Sequence, residues 1–371
     1  GPASPGYKDV GAAIKAYFDY VNANGGINGR KINFVVKDDK YDPAQTKRVV
    51  SSLILQDKIF AMVSGLGTAT HSTVVTDLNR RGIPDVAVLS GYSGFANPKK
   101  YPTTWPGLPS YIAEAKIMSK FIDDTAALKN LKACLLYQDD DFGRDAQKGF
   151  AIAGQTFLTK AGYNAALLSS SGVKTQIAGF AQAKCELVVV FGVTAATANA
   201  IGTAKALGYS PVWLASAVGA DKKTLDDLNV PNALLTGVYS PNLFPVAEDK
   251  NDGYIALISK ILTDAKVPVT SYTIGGVNDA FLVAQALKAA GKNLTRKGFL
   301  DAMTKTATFK TASFVPFKGD THQAYTGYYV GQYGADMVQK KVSGVYETDS
   351  ANGAVTVSTF TRPAAPANLL P

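Results

Sequence analysis

Two short stretches carry residue types suited to gripping an anion. Residues 64–70 read Ser-Gly-Leu-Gly-Thr-Ala-Thr, and residues 90–94 read Ser-Gly-Tyr-Ser-Gly. Hydroxyls there can donate to a ligand oxygen, and glycines let backbone N–H groups approach it closely. Where such a turn opens a helix, the unsatisfied N–H groups favour negative charge. The same turns lack reactive equipment. No G-x-S-x-G elbow, P-loop or post-strand G-x-G-x-x-G is present, and no Cys/His pair falls in the turns. His71 lies one helical turn from Thr68, but no third group is visible to orient it as a base. The chemistry legible here is reversible binding, with an enzyme on a similar scaffold as the weaker alternative.

Positioning these turns is the task of the elements around them. Residues 59–63 form a short continuous apolar run, as expected of a strand buried on both faces. A helix over 71–80 and a strand over 86–89 follow. Two parallel strands thus bring both turns to one sheet edge, where ligands sit in open α/β sheets. Upstream, a stripe of Val10, Ile14, Tyr17, Phe18 and Val21 predicts a helix closed by Gly25-Gly26. A strand over 32–36 and a helix over 43–57 come next. The proline-rich stretch 101–109 breaks the pattern, and a second α/β series begins. Its expected strands are 132–137, 165–168, 187–191 and 211–215, and the turns after them hold Phe142, Thr194 and Ser216. A further crossing falls around 237–245. Helices over 246–263, 275–290 and 295–304 follow, then strands over 311–318 and 326–332 with a third crossing between them. The expected fold is α/β: two Rossmann-like lobes, each a parallel sheet flanked by helices, joined by three hinge crossings. Lobe 1 takes 1–108 and 243–325, and lobe 2 takes 109–242 and 326–371. The Pro- and Ala-rich tail from 361 is read as an extended surface strap or a frayed end.

Composition narrows the class. The 371 residues are 46% hydrophobic and 18% charged, ordinary for a globular protein, and no apolar run reaches the ~18 residues of a membrane span. The net charge of +9 is spread along the chain with no basic block longer than a pair, so no nucleic-acid partner is expected. Cys134 and Cys185 fall near the starts of apolar strands that could be neighbours. Buried free thiols are expected, with a disulfide as the alternative. Two histidines and no Cys/His cluster give no zinc site. The run Asp139-Asp140-Asp141 is read as a helix cap rather than a hard-metal site. No metal and no cofactor is called for.

The stretch Asn22-Ala23-Asn24-Gly25-Gly26-Ile27-Asn28-Gly29-Arg30, with Asp38-Asp39 after the next strand, resembles the N-terminal signature of the type I periplasmic binding proteins. The branch is that of the branched-chain amino acid (Leu/Ile/Val-binding) receptors of ABC transporters. The resemblance continues through Gly82-Ile83-Pro84, the run Tyr137-Gln138-Asp139-Asp140-Asp141-Phe142-Gly143 and Leu214-Ala215-Ser216, and covers nearly the whole chain. Gly82, Pro84, Gly91 and the run from Tyr101 to Tyr111 resemble a branch that often takes aromatic or other organic carboxylates. Such a protein works outside the cytoplasm, in the periplasm or as a cell-surface lipoprotein, as a monomer that closes on a small carboxylate and docks on membrane permease subunits. The resemblance further implies a first strand of the I-x-I-G kind and an export signal upstream of Gly1.

Carried residue by residue, the resemblance places the ligand carboxylate on Thr68, with His71 beside it, and on backbone and hydroxyl groups of Gly91, Tyr92 and Ser93. Phe142 covers the ligand from lobe 2, and Thr194 contributes after its strand. The acidic residue that pairs with an α-ammonium in the amino acid receptors falls at Ser216. Serine cannot neutralise an ammonium, and an uncompensated buried charge is costly. This departure implies a carboxylate without an amine, with a branched-chain amino acid as the alternative. Tyr7 and Tyr239 are placed in loops at the cleft mouth or hinge. Each assignment has a plainer competitor: helix caps for Thr68 and Ser93, a surface position for His71, core packing for Tyr92 and Phe142. A ligand-sensing domain of a larger receptor is a further alternative, recognisable by a fused output domain.

Overall fold

The computed structural model describes residues 5–371. The first parallel sheet has three strands, β1 (Met62–Val63), β2 (Asp85–Val88) and β3 (Thr104–Pro106), in that order. The second has eight. Strands β4 (Ala133–Gln138), β5 (Thr159–Tyr163), β6 (Leu187–Phe191), β7 (Val212–Ala215) and β8 (Tyr239–Asn242) run parallel. They are followed by antiparallel β9 (Gly327–Tyr333), β10 (Gln339–Glu347) and β11 (Thr356–Val357). The order is β11-β10-β9-β8-β7-β6-β4-β5. Alternation along β6 decides its packing: Val188 and Val190 face one core, Leu187, Val189 and Phe191 the other. The first lobe's core is built from helices Val10–Ala23, Gly253–Asp264 and Ser271–Ala289 around β2 and β3. The chain passes between lobes after β3, after β8 and just before β9, which gives the three expected crossings.

Several expectations are corrected. Residues 32–36 join no strand ladder. Asn22 holds Ile32 instead, its Nδ2 donating to the Ile32 carbonyl at 2.8 Å and its Oδ1 accepting the Ile32 N–H at 2.7 Å. A groove of about 540 Å³ separates this extended segment from β1, with Ile32, Phe34 and Val36 on one wall and Phe60 and Met62 on the other. The strand placed at 165–168 lies earlier, at β5, where it pairs with β4; residues 165–167 form a 3-10 turn. Residues 311–318 form bends rather than a strand, because the Ser313 hydroxyl is turned onto Val315. The helix drawn over 246–263 begins at Gly253, where Asp252 caps it.

The tail does not stay with the second lobe as assigned. Arg362 pairs with Asp252 and donates to the Ala312 carbonyl at 2.7 Å, and the Tyr17 hydroxyl donates to the Leu369 carbonyl at 2.7 Å. Leu369 is buried in the first lobe's core, so the strap packs on the first lobe. The two cysteines are joined rather than free. Neighbouring β4 and β6 bring their Cα atoms to 5.9 Å, within disulfide reach.

Candidate functional site

Both predicted turns reach the space between the lobes, and their backbones are unusual there. Ser64 has φ +53° at the end of β1 and Gly67 has φ +93° ahead of the short helix Thr68–Ser72. Ala87 has φ +56° inside β2, where the register to β3 slips by one residue. Side chains seldom adopt such angles, and a bulge of this kind re-aims the end of a strand. The outcome is that Thr68 and Ser90, from successive turns, meet with their hydroxyl oxygens 2.7 Å apart, both buried. One of the two O–H groups is used in that bond, and Ser90 also accepts the Tyr92 N–H at 3.2 Å and bonds the Tyr111 phenol, so the pair sits in a hydrogen-bonded cluster.

The opposite wall comes from the second lobe. Thr194, first residue of helix Thr194–Ala206, has its hydroxyl 2.8 Å from that of Tyr272. Ser216 is fully buried and donates to the Gly192 carbonyl at 2.9 Å, which ties the turns after β6 and β7 together. The Tyr163 hydroxyl donates to Gln138 Oε1 at 3.1 Å, and Gln138 Nε2 donates to Asp140 at 2.8 Å. Asp140 caps the helix Asp141–Ile152 through the Phe142 N–H, as its sequence run suggested. No group of His, Cys, Asp and Glu among the described residues converges as a metal site.

Five phenols converge between these walls: Tyr7, Tyr41 and Tyr272 beside the first lobe, Tyr111 and Tyr163 from the second. Tyr7 and Tyr272 stack at 4.1 Å between ring centroids. Burial raises all five above the usual phenol range, and mutual proximity adds to the effect at Tyr7 and Tyr163. For Tyr41 burial wins over an opposing hydrogen bond to Gln138 and pushes the phenol to about 12. Tyr111 and Tyr163 are buried and the other three partly so, and all five phenols remain neutral at physiological pH.

The lobes are closed on one another. Asp145 of lobe 2 accepts from the Ser93 N–H at 2.6 Å and from the Ser93 hydroxyl at 3.1 Å. At another point Ser271 donates to Asp221 at 2.8 Å, and Tyr272 donates to the Val218 carbonyl at 2.8 Å. Ser93 thus serves the closure rather than pointing a free hydroxyl at a ligand.

The other sequence-predicted residues distribute as follows. Gly91 lies under the first crossing, where a Cβ would run into the Pro109 carbonyl and the Tyr111 ring. Tyr92 is half-exposed, packs edge-on against Phe95 at 5.1 Å, and feels Asp141 and Asp145 across the cleft. Phe142 is buried against Tyr111 and Phe191 in the second lobe's core. His71 is neither on the surface nor without an orienting group. It is 1% exposed, with Nε2 2.8 Å from Asp85, whose same oxygen accepts from Thr104 at 2.9 Å. Tyr239 begins β8 and packs against Phe121 at 5.4 Å, away from the cleft mouth. Sequence reasoning had Ser90 only as part of the second turn and missed Tyr41, Tyr111, Tyr163 and Tyr272. Tyr272 had a signal: an aromatic at the first turn of a helix capped by Thr270.

The profile of the periplasmic binding protein family matches residues 1–337. The chain belongs to this family. Its members are solute receptors with no enzymatic step, and the α/β architecture above is theirs. The chain is 29% identical over 150 residues to the chemotactic signal transduction system substrate-binding protein BasB of Halobacterium salinarum, spanning 36% of that protein's length. Among solved structures it is similar to a branched-chain amino acid ABC transporter protein from Thermus thermophilus with bound valine. The TM-score is 0.78 at 19% identity, with 92% of each chain covered. It is also similar to an ABC transporter solute-binding protein from R. palustris in complex with benzoate. There the TM-score is 0.74 at 18% identity, with 95% of this chain and 94% of that one covered.

Proposed function

We propose that this protein captures a small organic carboxylate, aromatic or otherwise apolar, in the interlobe cleft outside the cytoplasm and delivers it to a membrane permease. The observation that carries the reading is the composition of the closed centre. It combines the Thr68–Ser90 hydroxyl pair, neutral phenols from both lobes and a buried serine at position 216, where amino acid receptors of the family need an acid. Phenol and hydroxyl donors can hold one carboxylate, and aromatic faces cover the remainder by apolar burial at about 25 cal/mol per Å². The disulfide fits an oxidising compartment. The groove beside β1 has apolar walls, as a site for a further strand pairing with β1 would need.

A thermal-shift screen tests the reading with two panels at equal concentration, one of aromatic and aliphatic carboxylates, one of L-α-amino acids. A ligand at 100 times its Kd adds about 2.7 kcal/mol. Stabilisation by carboxylates alone is the expected result; stabilisation by leucine or valine alone overturns the ligand class. The Halobacterium relative favours a second reading, in which the closed receptor reports to a signal transducer rather than a permease. Capture of the ligand-loaded protein by permease or by transducer from native membranes separates the two.

A further inference from the structure

Glu114 has a buried carboxyl group that the reading above leaves unused. It stands in the first turn of the helix Tyr111–Asp124, just past the first crossing, and is 0% exposed. Its Oε1 accepts the Ala217 N–H at 2.7 Å, while Oε2, equally buried, has no partner. Tyr328, just past the third crossing, also holds a buried hydroxyl with no partner. Glu114 acts on that phenol, adding to the rise that burial causes, so the two groups are near one another without bonding. Ala217 and Tyr328 line a cavity of about 300 Å³ between the lobes, walled further by Leu89, Leu108 and Tyr7.

Two orphaned polar atoms in a buried site cost free energy; Tyr328 lines the cavity, Glu114 stands behind the Ala217 backbone that lines it, and one polar group seated between them could satisfy both. Its charge follows from the carboxyl's surroundings. Burial pushes Glu114 up to about 8, and only the Ala217 N–H opposes it. Near neutral pH it is a carboxylic acid, with Oε1 accepting and Oε2 holding a proton to donate. We propose that Glu114 and Tyr328 form a polar subsite on the cleft floor that reads an uncharged hydroxyl at the end of the ligand remote from its carboxylate. The inference rests on the carboxylate reading and adds to it a second recognition point. It also assigns the cleft an acid that reaches the Ser216–Ala217 turn from a different element.

Isothermal titration on the whole protein tests it with paired probes: benzoate against para-hydroxybenzoate, and hexanoate against ω-hydroxyhexanoate. Para-(aminomethyl)benzoate and L-leucine form a cationic arm. In the unaltered protein the hydroxylated member of at least one pair binds about tenfold more tightly, because a site built to bond a hydroxyl rejects the analogue lacking it. Glu114→Leu and Tyr328→Phe each bring that ratio close to one, and Glu114→Gln keeps most of it. Should Glu114→Leu fail to fold, the Tyr328→Phe and Glu114→Gln ratios decide. A ratio that survives in Tyr328→Phe or Glu114→Leu overturns the subsite and means that a bridging water fills it. Tighter binding by the amine-bearing probes than by the hydroxylated ones overturns the uncharged specificity. Silence from every carboxylate overturns the carboxylate reading and the subsite with it, whereas intact binding with unchanged ratios overturns the subsite alone.

Discussion

At the residue scale, the cleft separates groups that hold a ligand from groups that hold the protein. His71 and Asp85 belong to the second kind. With both side chains buried and 2.8 Å apart, removing one partner strands a polar group in the first lobe's core. His71→Ala is expected to lower unfolding stability by about 1–3 kcal/mol in a denaturant titration. Ser93 and Asp145 hold the lobes together. Loss of a charge-assisted bond costs about 1.5–3 kcal/mol, so Asp145→Ala should weaken ligand binding about ten- to a hundredfold by favouring the open form. Small-angle scattering of the unliganded variant should show a larger radius of gyration than the unaltered protein; an equal radius would remove Asp145 from closure. Glu114 sets a pH dependence. Its folded carboxyl resists ionisation up to about 8, while the unfolded one ionises near 4.5. Protons are thus bound more tightly by the folded state, and stability falls as pH rises through this window, by at most about 1.4 kcal/mol per pH unit. Glu114→Gln should flatten that slope in thermal melts at pH 5 to 8, a readout separate from ligand choice.

Elements were legible where one rule dominated. The apolar runs of β4, β6 and β7 lie buried on both faces of a parallel sheet, and their sequence alone marks them. Residues 32–36 look the same locally but form no strand, because a ladder needs a neighbour and theirs is a groove. An apolar strand joined ahead of Gly1 is expected to fill that groove and raise the melting midpoint by several degrees. An unchanged midpoint would count against the strand. Pairing of Cys134 with Cys185 depends on β4 and β6 being neighbours, and spacing in the sequence does not encode that. Their separation of 51 residues implies that reduction, or Cys134→Ser, costs about 4 kcal/mol of unfolding free energy, checked by melts with and without reductant.

At the scale of the whole molecule, the two lobes meet through bonds made by residues far apart in the chain, such as Thr194 with Tyr272 and Ser271 with Asp221. The tail adds a tie the sequence reading had placed on the wrong lobe, since Leu369 is buried beside Tyr17. Closure is therefore a property of the assembled chain. Each ligand that stabilises the closed form must bind it more tightly than the open one by the energy of that shift.

The α/β alternation, the apolar parallel strands and the glycine- and hydroxyl-bearing turns after them can be read from the chain in order. Hydrophobic period, glycine position and proline breaks are local signals, and those features follow from local signals. Which side chains share the centre depends instead on packing between distant elements. Tyr41, Tyr111 and Tyr272 come from three separate parts of the chain, His71 turns inward because Asp85 and Thr104 wait there, and Glu114 reaches the turn beside Ser216 from another element of the same lobe. Burial and partnership depend on what the rest of the chain brings alongside, and no stretch of sequence carries that information alone.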